Sequence, residues 1–183
     1  MGLVEITASE FDVEIALAYA TADNLSGSRI YTSPACYLHE KAAGLLKKAV
    51  HLARPLDLRL KIFDAYRPAE AQWRLWNALP DPEFVADPRR GSPHTRGVAI
   101  DLTLVDAQGA ALDMGTGFDA AVPQSHHGST EIPVAAQHNR FTLLGIMMAA
   151  GWDNYRNEWW HYQMFNSRDY PLIEQTQLPH PMM

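Results

Sequence analysis

Apolar positions between residues 34 and 53 recur at helical spacing: Leu38, Ala42, Leu45, Leu46, Ala49 and Leu52. One face of a 3.6-residue helix gathers them, and Pro34 suits a helix start, so a helix is predicted over 34–53. The stretch Leu58-Arg59-Leu60-Lys61-Ile62 alternates apolar and polar instead, which is the period of a half-buried strand. Pro68 opens a second helix that runs to Leu79, where Pro80-Asp81-Pro82 stops it. Val98, Ile100, Leu102 and Leu104 then alternate with Ala99, Asp101 and Thr103, a clear strand. A third helix is predicted over 136–150, with Phe141, Leu144, Ile146 and Met148 as core positions and Gly151 as its stop. Shorter strands are expected at 15–19, leading into a polar turn at 23–28, and at 158–165. The proline-rich stretch 81–93 reads as loop. So does 113–135, which holds glycines, prolines and a His pair. Loops of that length in a compact chain are often functional. Helical and strand patterns do not alternate regularly, so the class is α+β.

At 183 residues the chain fits one domain, 1–183, large enough to bury a core without a disulfide or structural metal. Apolar residues make up 47 % and charged residues 20 %, which excludes a wholly disordered chain. Fifteen Lys and Arg against 21 Asp and Glu give −6, a balance that argues against nucleic acid or an anionic membrane as partner. No run approaches a membrane helix, and Met1 to Phe11 lacks the apolar core of a signal peptide. With Cys36 the lone cysteine, no intrachain disulfide is possible. A cytoplasmic protein is the expectation.

Two clusters carry candidate chemistry: Ser92-Pro93-His94-Thr95-Arg96-Gly97-Val98-Ala99-Ile100-Asp101, and Glu158-Trp159-Trp160-His161. His94 stands at a strand mouth and Asp101 on that strand's non-apolar face, where a carboxylate meets water or a partner. His94, Asp101 and His161 supply two imidazoles and a carboxylate, the three protein ligands of a catalytic zinc site. Glu158 then is a carboxylate beside the metal, available as general base. A non-haem iron triad is disfavoured, since its carboxylate follows the histidine by two residues and here by seven. No G-x-S-x-G elbow marks a serine nucleophile, and Cys36 has no evident base partner. His126 and His127 are adjacent, so on regular backbone they point apart. Glu158 and His161 are three apart. On a strand they face opposite ways, so a bulge, bend or helical turn must intervene if both reach one metal.

Ser92-x-His94-x-x-Gly97-x-Ala99-x-Asp101 and Glu158-Trp159-Trp160-His161 resemble the signature motifs of VanX-type D-alanyl-D-alanine dipeptidases. These form part of the zinc D,D-peptidase family, which shares a fold with the hedgehog signalling domain. Tyr19-Ala20-Thr21-Ala22-Asp23-Asn24 and Asp64-Ala65-Tyr66-Arg67-Pro68 are similar to its N-terminal and arginine motifs. Met114-Gly115-Thr116-Gly117-Phe118-Asp119 and Ser125-His126-His127 are similar to its central loop. The resemblance covers most of the chain. It implies a single domain with an antiparallel sheet flanked by helices, and one zinc per chain on His94, Asp101 and His161. It implies Glu158 as the catalytic base and Arg67 as the group that stabilises charge on the scissile carbonyl. Asp119 is implied to meet the substrate's ammonium. Ser92 and Tyr19 are implied near its far end, and Asp64 as a residue holding Arg67 or another motif residue in place. Trp159 and Trp160 read as core and pocket wall.

The expected reaction is zinc-dependent hydrolysis of D-Ala-D-Ala. The alternatives are a D,D-carboxypeptidase or endopeptidase on peptidoglycan peptides, which would need export, and a non-catalytic hedgehog-like binding module. Glu158 and Arg67 argue against the last.

Overall fold

The computed structural model describes residues 2–183. In chain order its elements are β1 (Leu3–Glu5), α1 (Ala8–Phe11), β2 (Glu14–Ile15), β3 (Tyr37–His39), α2 (Glu40–Ala53), β4 (Arg59–Asp64), α3 (Ala69–Ala78), β5 (Ala99–Val105), α4 (Val134–Ala150), β6 (Asp153–Asn154) and β7 (His161–Gln163). The main sheet has the order β2-β4-β5-β7-β6, and β1 pairs with β3 in a separate ribbon. Both helical and strand elements form as the α+β pattern requires. The sheet departs from all-antiparallel at one edge, where β2 runs parallel to β4.

The central strand β5 is buried along its whole length. The alternation in its sequence therefore does not separate core from solvent; it separates two interiors. Ile100, Leu102 and Leu104 share one face with Leu60 and Ile62 of β4, their ladder partners or neighbours. α2 and α4 pack on each other and reach β4 and β5 respectively. Asp101 and Thr103 project to the other face. Cross-strand partners in an antiparallel pair share a face, and Asp64 pairs with Asp101 only because the register shifts between Ile62 and Asp64. Without that bulge Asp64 would continue the core face of Leu60 and Ile62. The extra residue turns its carboxylate toward Asp101, the re-aiming for which bulges are used beside functional sites.

Four sequence expectations shift. The helix over 34–53 begins only at Glu40, because Tyr37 to His39 form β3 against β1. His39 ends the strand by capping the helix, its Nδ1 accepting from the Lys41 N–H at 3.2 Å. The strand at 15–19 is cut to β2, and a 3-10 turn at Ala18–Ala20 follows. The strand at 158–165 is cut to β7, which leaves Glu158 in the preceding turn. That settles the spacing problem, since the His161 N–H reaches back to the Glu158 carbonyl across the turn.

The phase of α4 also differs. Phe141 and Met148, expected in the core, are 55 % and 41 % exposed, whereas Arg140, Leu143, Ile146 and Met147 are buried. Arg140 decides the rotation. Its Nε donates to the Met114 carbonyl (2.6 Å), Nη1 to the carbonyls of Gln124 (2.8 Å) and His126 (3.2 Å), and Nη2 to Thr116 Oγ1 (3.2 Å). One guanidinium thus organises much of the irregular segment 113–133, whose backbone carbonyls would otherwise be buried without donors. Gly151 ends the helix at φ 103°, as expected.

Candidate metal centre

His94 opens a 3-10 turn, His94–Arg96, at the mouth of β5. Gly97 closes that turn at φ 67°, and a Cβ there would lie 2.3 Å from Leu3 Cδ2. Only glycine therefore both adopts the left-handed angle and clears the β1 ribbon. Two residues further on β5 begins, carrying Asp101, and β7 pairs Asp101 directly with His161. The three side chains meet: His94 Nε2 lies 3.1 Å from His161 Nδ1, and Asp101 Oδ1 lies 3.4 Å and 3.0 Å from those two nitrogens. All three residues are buried.

The surroundings of each ring favour a cation at that point. His94 Nδ1 lies 2.7 Å from the Ala65 carbonyl, which can only accept, so Nδ1 carries the proton and Nε2 offers a lone pair to the cluster. His161 Nε2 faces Gln163 Oε1 at 3.2 Å, which leaves Nδ1 as its free donor atom. Two imidazole lone pairs and a carboxylate oxygen converge within 4.8 Å. With both outer nitrogens protonated, this arrangement is repulsive unless a metal ion or an extra proton joins it. Two nitrogens and one oxygen suit zinc, and three protein ligands leave a position open.

All eight residues singled out from the sequence, His94, Asp101, His161, Glu158, Arg67, Asp119, Ser92 and Tyr19, line one cavity of about 200 Å³. That is small beside the roughly 300–1,000 Å³ of pockets for drug-sized ligands. Arg67 follows β4, and its guanidinium is held on every side. Nε donates to Asp64 Oδ2 (2.8 Å), Nη1 to Gln72 Oε1 (3.0 Å) and Nη2 to Asp101 Oδ2 (3.3 Å). Tyr31 O–H donates to the other oxygen of Asp64 at 2.8 Å. The guanidinium also stands over the Tyr19 ring, 5.0 Å from its centre.

Asp119 takes a left-handed backbone angle, φ 61°, in the loop between β5 and α4. Tyr19 O–H donates to its Oδ1 (3.0 Å) and the Leu25 N–H to its Oδ2 (3.2 Å). Asn24 braces the turn that presents Leu25, its Nδ2 donating to the carbonyls of Thr21 and Ser28. Burial pushes the Asp119 carboxyl up to about 7, against the pull of Arg67. Ser92 is buried and its Oγ accepts from the His94 N–H at 3.2 Å. Glu158 Oε2 stands 3.9 Å from His161 Nδ1. Burial, then the Asp101 and Asp119 carboxylates, raise the Glu158 carboxyl well above its usual range. Trp159 and Trp160 are buried; Trp159 Nε1 donates to Thr116 Oγ1, while Trp160 lines the cavity.

His126 and His127 lie outside the cluster. His126 Nε2 sits 3.3 Å from Glu83 Oε1, and burial lowers the His127 pKa to about 4. Sequence reasoning passed over Tyr31, Gln72, Arg140 and Gln163. Arg140 had a signal, being the lone charge in the 17 residues of α4. The other three are ordinary polar or aromatic residues whose partners lie far along the chain or depend on side-chain direction.

Fold and site together define a metallopeptidase. The chain belongs to the D-ala-D-ala dipeptidase family, whose profile matches residues 1–181. It is 46 % identical over 171 residues to the D-alanyl-D-alanine dipeptidase of Escherichia coli, covering 93 % of this chain and 89 % of that one. Against the D-alanyl-D-alanine dipeptidase of Enterococcus faecalis it is 32 % identical over 169 residues, covering 81 % and 84 %. A solved structure of a mutant vancomycin-resistance D,D-pentapeptidase VanY in complex with Zn(II) superposes with a TM-score of 0.48, at 14 % identity over 76 % of this chain and 79 % of that chain. Among the described residues no helix is long and apolar enough to cross a membrane.

Proposed function

We propose that this chain is a single zinc-dependent dipeptidase domain that hydrolyses free D-alanyl-D-alanine to two D-alanines, and that it works in the cytoplasm. The observation that carries the reading is the meeting, in one small cavity, of the His94–Asp101–His161 cluster with Glu158, Arg67 and Asp119. His94 Nε2, Asp101 Oδ1 and His161 Nδ1 would hold the zinc ion, which when bound lowers the pKa of water and polarises the peptide carbonyl. Glu158 accepts the proton of the attacking water and delivers it to the leaving amine. Its raised proton affinity suits a group that must hold that proton between the two steps. Arg67, clamped by two carboxylates and an amide, presents fixed positive charge where the oxyanion develops and needs no reorganisation to do so. Asp119 receives the substrate's ammonium; Ser92 keeps the place expected near the substrate's far end, whereas Tyr19, expected there too, donates its O–H to Asp119 and so stands at the ammonium's end. A dipeptide has little surface to bind, so its charged ends must supply orientation.

The ammonium site separates this reading from a carboxypeptidase acting on longer peptides. An N-acylated substrate has no ammonium to pair with Asp119 and so forgoes a charge-assisted hydrogen bond, a loss of roughly 1.5–3 kcal/mol. D-Ala-D-Ala should therefore release D-alanine with a kcat/KM about 10- to 100-fold above that of N-acetyl-D-Ala-D-Ala, in protein carrying one zinc per chain. Comparable rates on the two substrates would refute the reading in favour of the carboxypeptidase.

A pH effect follows from Asp119. Only its ionised form pairs with an ammonium, and with the carboxyl near pH 7 that form is lost as pH falls. The ammonium itself keeps its proton up to about pH 8. KM for D-Ala-D-Ala should thus be lowest between about pH 7 and 8 and rise about tenfold by pH 6. Asp119→Asn should show a higher KM that is flat over the acidic side. A steady-state pH profile checks both, and an acid limb unchanged in Asp119→Asn would assign it elsewhere.

A further inference from the structure

We propose that Gln72 is a positioning residue for the hydrolysis, tying Arg67 to the wall of the substrate cavity. The inference rests on the role given to Arg67 above. Gln72 lies near the start of α3 and is 1 % exposed. Both ends of its amide are engaged. Oε1 accepts from Arg67 Nη1 at 3.0 Å, and Nε2 donates to the Ala86 carbonyl at 2.7 Å. Those partners fix the amide's orientation, because a guanidinium can only donate and a carbonyl can only accept.

The two partners have different duties. Arg67 lines the cavity from the β4 side. Ala86, with Phe84 and Val85, lines it from the segment after α3. That segment contains no helix or strand between Leu79 and Pro93. It is held from outside as well, by Tyr155 O–H donating to the Glu83 carbonyl at 2.9 Å. From inside, Gln72 is its link to the guanidinium.

Of the three groups that hold Arg67, Asp64 and Asp101 attract it as charges and stand on paired strands of the sheet. Asp101 also belongs to the metal cluster. Gln72 is the neutral holder and pulls from the helix side. Without it, Nη1 loses its acceptor in a buried place and the guanidinium is drawn toward the carboxylates. Charge that should sit over the scissile carbonyl then sits closer to Asp101. This alters transition-state stabilisation, and so kcat. Losing the bond to Ala86 instead loosens the cavity wall, and so raises KM.

The test uses two variants of the zinc-loaded protein with D-Ala-D-Ala as substrate. Gln72→Leu removes both bonds at similar volume. Gln72→Glu keeps an acceptor for Arg67 but, ionised, adds a carboxylate beside the guanidinium and has no donor for Ala86. The Leu variant is expected to lose about 10- to 100-fold in kcat, the range that small misplacement of a catalytic group produces. The Glu variant still holds Nη1 from the helix side, so it is expected to lose several-fold less kcat than the Leu variant while KM rises several-fold. A Leu variant with wild-type kcat overturns the inference. So does a Glu variant whose kcat falls as far as that of Leu, since a merely structural role would not distinguish the two. Should Gln72→Leu fail to fold, the split between kcat and KM in Gln72→Glu decides alone. Wild-type protein that releases no D-alanine defeats the proposed function itself. Wild-type protein that does, beside an unimpaired Leu variant, defeats only the role of Gln72.

Discussion

Glu158→Gln is expected to bind one zinc per chain, as the wild type does, and to turn over D-Ala-D-Ala about 10²–10⁴-fold more slowly. Glutamine fills the same volume in the turn before β7, where Glu158 is 7 % exposed. It offers hydrogen bonds of similar reach but cannot take up a proton at neutral pH. Because the carboxylate stands 3.9 Å from His161 Nδ1 and outside the tighter His94–Asp101–His161 contacts, its loss should not release the metal. The stability consequence has a definite sign. A carboxyl whose folded pKa is raised destabilises the fold at pH values above its unfolded pKa, where the unfolded chain ionises freely. After the metal is removed by chelation, the variant should therefore melt at the same temperature as metal-free wild type at neutral pH, or above it. Zinc content, kcat and melting temperature can be measured on one preparation. Near-normal turnover would show that another group is the base, and lost zinc would place Glu158 among the ligands.

His94→Ala should abolish metal content and turnover together. His94 Nε2 is one of three donor atoms, its ring oriented by the Ala65 carbonyl, and its removal leaves two. The two remaining donors, His161 Nδ1 and Asp101 Oδ1 at 3.0 Å, fall short of the three protein ligands a catalytic zinc site uses. A catalytic metal supplies several kcal/mol of stabilisation, so turnover should fall by at least about 10³-fold. Alanine also leaves a void in a buried place, which costs stability. A folded but inactive variant is therefore recognised by its circular dichroism before its zinc is counted. His138→Ala, on the exposed face of α4, serves as the control that keeps both. Full zinc retention in His94→Ala would sink the ligand assignment.

Much of this arrangement was legible in the chain. The alternation from Val98 to Leu104 placed Asp101 off the apolar face, and His94 fell at the strand mouth where the turn puts it. What the sequence could not carry was side-chain direction set by distant partners. The bulge after Ile62 has no local mark, yet it brings Asp64 to Arg67 and the metal cluster. Hydrophobicity alone points Phe141 of α4 inward, whereas in the fold four hydrogen bonds from Arg140 outweigh a single ring and set the rotation. Glu158 and His161 could not share a site on a strand; only the turn between them, seen in the fold, reconciles their spacing.

The pairing of β7 with β5 joins Asp101 to His161 across 60 residues of chain. Contacts of that sequence separation form slowly, because loop closure must precede any reward from them. Two of the three donor atoms therefore stay apart until β7 pairs with β5. A metal ion that meets the chain before that pairing finds at most His94 and Asp101, seven residues apart, so the full ligand set and the β5–β7 pairing come into being together.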